Sequence, residues 1–147
     1  APLTLEESIY TKKDDPIYFD NAVELLIKLK EPGQYLELIV NKNKVIYDAW
    51  INNPDSHRKT MTVDKEYSLH GINVDIIKNY EKATWLCSIS IPFKTIYVDP
   101  DTEKEIQLNA FVFAPKTKSP YYALKYKNAE PLDFHSPPAW QTISLKP

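Results

Sequence analysis

Apolar and polar positions alternate at period two through most of this chain. Val23, Leu25, Ile27 and Leu29 interleave with Glu24, Leu26, Lys28 and Lys30, which is the spacing of a β-strand. Glu31-Pro32-Gly33-Gln34 then breaks the pattern. Pro32 presets φ for a turn and Gly33 supplies a positive φ. A second strand follows, with Tyr35, Glu37 and Ile39 on one face and Leu36, Leu38 and Val40 on the other. After a turn at Asn41-Lys42-Asn43-Lys44, Val45, Tyr47 and Ala49 face one way and Ile46, Asp48 and Trp50 the other. These segments predict a three-stranded antiparallel meander. Both of its faces are largely apolar, so the sheet packs on another layer instead of facing water.

The pattern continues with interruptions. Pro2 to Tyr10 reads as a short strand, and Thr11 to Asn21 as an acidic, aromatic loop. Asn52 to Tyr67 is polar and irregular, a long loop or a frayed edge. Ser68 to Asn79 holds a strand after a bend at Gly71. Thr84 to Phe93 is the clearest central strand: Trp85, Cys87, Ile89 and Ile91 point one way, Leu86, Ser88 and Ser90 the other. Pro92 ends it by removing a donor, and Lys94 to Tyr97 is a single helical turn. Strands are further predicted at Ile106 to Phe113, Tyr121 to Tyr126 and Thr142 to Leu145, with a proline-rich loop over Asn128 to Trp140. No segment predicts a helix of ten residues or more. The fold class is therefore all-β, an antiparallel β-sandwich of immunoglobulin-like or jelly-roll-like two-sheet architecture, with residues 1–147 as a single domain.

Composition sharpens this. Twelve prolines, ten tyrosines and two glycines in 147 residues suit an all-β chain with rigid loops. The lack of glycine argues for connections longer than two-residue hairpins. Net charge is −2, and the lysines form no basic patch, which argues against nucleic acid as a partner. No apolar run approaches the roughly 20 residues of a membrane span. Cys87 is the single cysteine, so there is no intrachain disulfide; it shares a face with Trp85 and Ile89 and reads as buried and inert. The chain opens Ala-Pro-Leu-Thr without Met, which reads as processed or cut from a longer precursor.

Four stretches, in order, resemble the family 9 carbohydrate-binding modules and their DOMON-like relatives. They are Thr11-Lys12-Lys13-Asp14-Asp15-Pro16-Ile17-Tyr18 leading to Asn21-Ala22-Val23-Glu24-Leu25; Gln34 to Asn41 followed by Val45-Ile46-Tyr47-Asp48; Trp85 to Phe93; and Phe134-His135-Ser136-Pro137-Pro138-Ala139-Trp140. The resemblance spans Thr11 to Leu145 and implies a non-catalytic sandwich that binds a glycan or glycan end, secreted or periplasmic. It places Tyr18 at the family's first clamp aromatic and Glu24 at its glutamate. Trp50 stands where the family has an arginine. The second aromatic falls near Leu124, with Tyr122 and Tyr126 beside it. The family normally has more strands before the segment that begins near Leu3.

The residue chemistry agrees in kind. A pyranose needs flat aromatic faces together with carboxylate or amide groups for its hydroxyls. Tyr18, Glu24, Trp50, Asn109, Tyr122 and Tyr126 supply those types, although tyrosines are also ordinary half-buried strand residues. Glu24 lies among apolar positions, so it should be exposed, hydrogen-bonded or ligand-facing. Asp14, Asp15 and Asp20 are oxygen donors suited to calcium, with a solvated acidic loop as the competing reading. His57, His70 and His135 are dispersed without metal-ligand spacing, and the lone Met61 offers no paired haem signature. His135 reads as a hydrogen-bonding anchor of the C-terminal loop. With two glycines, no phosphate-cradling or nucleophile-elbow motif exists, and the chain is not read as an enzyme. Two other classes stay open: an assembly protein that uses an exposed N-terminal sheet edge to form homo- or hetero-oligomers, and a carrier of a small apolar ligand or pigment.

Overall fold

The computed structural model describes residues 8–115, 121–124, 135 and 140–145. Among the described residues nine strands form two antiparallel sheets: β1 (Ala22–Lys28), β2 (Gln34–Asn41), β3 (Ile46–Asn52), β4 (Thr62–Asp64), β5 (Asn73–Asn79), β6 (Thr84–Ser90), β7 (Glu105–Phe113), β8 (Tyr121–Ala123) and β9 (Gln141–Ser144). The larger sheet runs β4-β3-β2-β1-β7-β8, with β9 also on β7, and the smaller is the β5–β6 hairpin. The meander of β1, β2 and β3 and the all-β sandwich are as the alternation predicts. The helical turn after Pro92 is a short 3-10 segment, Phe93–Ile96, and a second one, Ile17–Phe19, leads into β1.

β2 has buried residues along almost its whole length, because both of its faces are covered. On one face Leu36, Leu38 and Val40 join Ile27 of β1 and meet Val74, Ile76, Cys87 and Ile89 of the β5–β6 hairpin. Fully burying each such aliphatic side chain is worth about 1.5–3 kcal/mol, so this layer holds β2 in place. On the opposite face Tyr35 and Ile39 pack with Ile17, Leu26, Tyr47, Ile51, Phe111, Phe113 and Trp140. The hairpin's outer face keeps Ile77 and Leu86 exposed, since no layer lies beyond it among the described residues. Cys87 is half-buried on the hairpin's inner face, and burial pushes its thiol pKa up.

Two sequence readings differ from the structure in extent. The irregular 52–67 stretch contains the edge strand β4, three exposed residues paired with β3 from Trp50 to Asn52. Its alternation is too short to register. The strand predicted for Tyr121 to Tyr126 ends at Ala123 among the described residues, and its last two positions lie outside them. Most of the N-terminal strand and most of the 128–140 loop lie outside them as well; Ser8 to Tyr10 is not strand.

With so few glycines, Asp14, Lys44, Ser56, Ala83 and Tyr97 take positive φ themselves. Gly33 is different. It has φ +75°, and an added Cβ would lie 2.6 Å from Pro54 Cα. Its carbonyl accepts the Asn53 amide at 2.8 Å, so the β1–β2 turn is locked against the turn that follows β3.

Gly33→Ala therefore combines an unfavourable φ with a backbone clash. We expect a loss of about 2–4 kcal/mol, measured as a shift in urea midpoint. A change below about 0.5 kcal/mol would show that the turn relaxes freely.

Candidate functional site

The Pro32-Gly33 turn sets the register of β1 against β2: Glu24 pairs with Ile39, and Leu26 with Glu37. Glu24 and Glu37 therefore share one face as diagonal neighbours, within reach of long side chains. Both are buried, at 2% and 8% exposure. Two carboxyls this close disfavour double ionisation. The Glu24 pKa is accordingly raised well above the usual glutamate range, first by burial, then by the charge of Glu37 and a hydrogen bond to it, with Arg58 pulling the other way. Glu24 Oε2 is buried with no hydrogen-bond partner among the described residues.

His135 completes the group. Its Nε2 lies 3.8 Å from Glu37 Oε1, and its Nδ1 is 2.8 Å from the Tyr35 hydroxyl. Asn53 Nδ2 donates to the His135 carbonyl at 3.1 Å, which fits the anchoring role predicted from sequence. Tyr35 stands two residues before Glu37 on the same face of β2, so one strand positions both the acid and the histidine's support. Donor atoms of Glu24, Glu37 and His135 all lie within 4.8 Å of one another, a spacing from which side chains can hold a metal ion.

These residues form the base of a cleft of about 440 Å³. Tyr18 and Phe19, 38% and 67% exposed, rise at its mouth with ring centroids 4.7 Å apart. Tyr18 stands edge-on to the buried Tyr47 at 6.0 Å. Burial raises the Tyr47 hydroxyl's pKa, and the nearby Glu37 adds to the shift, so this phenol stays a neutral hydrogen-bonding group. Arg58, Met61, Val63 and Lys65, from β4 and the residues on either side of it, line the other side, with Lys65 Nζ 5.8 Å above the Tyr47 ring. The arrangement joins apolar ring surface, buried carboxyls and exposed cations in one concavity, which suits a polyhydroxylated ligand with an apolar face.

The structure brings Tyr18 and Glu24 together in this cleft. Trp50 lies on the opposite face of the sheet, half-buried against Tyr67 and Tyr97 at 5.3 and 5.8 Å. Asn109 is buried beside Leu26, its Oδ1 accepting the Ala110 amide, and it does not line the cleft. Tyr122 pairs with Val112, on the face opposite Phe111 and Phe113, and is 50% exposed. Tyr126 lies outside the described residues. The three loop aspartates each have local partners: Asp14 binds Lys13 at 2.9 Å, Asp15 accepts the Thr11 and Lys12 amides, and Asp20 accepts from Asn21 and Asn41. Sequence reasoning missed Glu37, Tyr47, Arg58 and His135 as cleft residues. Glu37 had a usable signal, because it alternates onto the Tyr35/Ile39 face opposite the leucines. Arg58 and His135 come from loops, where no periodicity operates.

No family model and no curated protein matches the chain. Among solved structures it resembles a "putative carbohydrate-binding protein" from Bacteroides uniformis, with a TM-score of 0.66 and 14% identity. The match covers 92% of this chain and 65% of the other. At that identity the likeness concerns the fold. This chain spans about 65% of the length of that structure.

The raised Glu24 pKa has a direct consequence for stability. Above the ordinary glutamate range, near 4.5, the unfolded chain releases a proton that the folded chain keeps. Wild-type stability therefore falls as pH rises from there toward the folded value. Glu24→Gln cannot ionise and lacks this slope. In chelator-treated protein its urea midpoint should gain on wild type as pH rises above about 4.5. Parallel curves would show that Glu24 ionises normally.

Proposed function

We propose that this chain is a non-catalytic carbohydrate-binding protein that holds a glycan or glycan end in the cleft above Glu24 and Glu37. The observation that carries this reading is the meeting of Tyr18, Phe19 and Tyr47 with two buried carboxyls and Arg58 in one concavity. Rings of this kind cover the C–H face of a pyranose, while carboxyl, phenol and guanidinium groups address its hydroxyls. The shared fold with the Bacteroides uniformis protein supports it. So does the resemblance to family 9 modules, whose first aromatic and glutamate correspond to Tyr18 and Glu24, both in this cleft. A secreted or periplasmic location belongs to the same reading, through the resemblance to family 9 modules.

A binding role is favoured over hydrolysis by the carboxyl geometry. Glycosidases of the usual type keep their two carboxyls about 5–9.5 Å apart, whereas carboxyl oxygens of Glu24 and Glu37 lie within 4.8 Å of each other.

Titration with a panel of short oligosaccharides, followed by tyrosine fluorescence or calorimetry, tests the proposal. Tyr18→Ala should weaken the best ligand about 5- to 30-fold, which is about 1–2 kcal/mol. Tyr122→Ala, on the opposite face, should bind as wild type does. A panel with no binder, or equal losses in both variants, would contradict this site.

A further inference from the structure

The base of the cleft poses a chemical problem that glycan binding does not resolve. Two carboxyl groups sit side by side out of water, and Glu24 Oε2 has no hydrogen-bond partner among the described residues. A buried acceptor without a donor has given up its hydration for nothing in return. Buried charges of this type are normally paired or coordinate a metal. Arg58 and Lys65, the cations lining the same cleft, are exposed, and the Arg58 charge only partly counters the effect of burial and of Glu37 on Glu24.

His135 supplies what a cation site needs. The Tyr35 hydroxyl at 2.8 Å engages Nδ1, and Asn53 ties down the His135 backbone. Nε2 is thereby presented to the carboxyls, 3.8 Å from Glu37 Oε1. Metal-bound histidines are commonly oriented in this way, by a hydrogen bond at the other ring nitrogen. Three donors from three separate segments converge within 4.8 Å, although nothing in their sequence spacing links them.

We infer that Glu24, Glu37 and His135 form a site for a divalent first-row transition ion of the zinc class. The imidazole selects against calcium and magnesium, which take oxygen ligands, and the two carboxylates complete a donor set common to zinc. Bond lengths of about 2.0–2.2 Å require the three donor atoms to draw together around the ion from their spacing of up to 4.8 Å. A dication also neutralises the two acids that otherwise oppose each other. Three protein ligands leave a coordination position facing the open cleft, available to water or a ligand hydroxyl. The site goes beyond the carbohydrate reading and stands without it, since the metal alone is the probe.

The test is calorimetry of the chelator-stripped full chain with zinc chloride, in the absence of any sugar. One ion should bind per chain. Glu24→Gln, Glu37→Gln and His135→Gln should each weaken binding at least about tenfold, while His57→Ala and His70→Ala retain wild-type affinity. Thermal melts in chelator establish that each variant folds. X-ray absorption of the wild-type zinc form supplies a readout independent of the variants: one imidazole nitrogen with carboxylate oxygens supports the site. No binding up to about 1 mM zinc, unchanged affinity in both glutamine variants at Glu24 and Glu37, or a first shell containing two or more imidazoles would overturn it.

Discussion

The pairing register of β1 and β2 is the constraint on which the rest of the molecule depends. Side chains alternate along a strand, so a slip of one residue would exchange the two faces. Leu36, Leu38 and Val40 would leave the layer they form with the β5–β6 hairpin, and Glu37 would enter it. Each displaced aliphatic would forfeit about 1.5–3 kcal/mol, and a buried carboxyl would take its place. The apolar layer thus fixes, from behind, where the acids stand in front. The turn at Gly33 fixes the same register from the end of the hairpin, through its positive φ and its close approach to Pro54.

That register has an electrostatic cost which the surroundings partly offset. Glu24 and Glu37 meet on a face whose other members are Tyr35, Ile39, Tyr47 and Phe113, residues that exclude water. Glu24 responds by retaining its proton and hydrogen-bonding to Glu37. His135, held by Tyr35 and Asn53, adds a group that can donate to, accept from, or share a metal ion with the pair. Tyr18 and Phe19 stay at the surface because the short 3-10 turn buries Ile17 and turns its next two side chains outward. Preorganised polar groups beneath exposed rings arise from ordinary sandwich packing with two acids placed at core positions.

The strands were legible because they obey period two. β2 shows this well: its alternation predicted both faces, and both are buried. Trp85, Cys87 and Ile89 likewise point inward as read, with Leu86 outward. Tyr18 and Glu24 could be placed because they sit beside a strand whose limits were clear. Trp50 and Tyr122 are sound ligand residues by type, yet strand parity and sheet order put them across the sheet from the cleft. Arg58 and His135 were not legible: a loop's path depends on side-chain hydrogen bonds such as the one Asn53 accepts from the His57 amide and the one it donates to the His135 carbonyl, which leave no periodic trace. β4 escaped because three exposed residues on an edge carry too little hydrophobic signal.

The central claim is that the hairpin register buries two interacting carboxyl groups at the base of one cleft. Carbon-13 NMR of the glutamate side-chain carboxyls in metal-free protein, titrated across pH and assigned with Glu24→Gln, tests it most directly. One carboxyl, that of Glu24, should titrate well above the usual glutamate value near 4.5, and binding of a cleft ligand should move its resonance. Titration of Glu24 near that value would contradict the account.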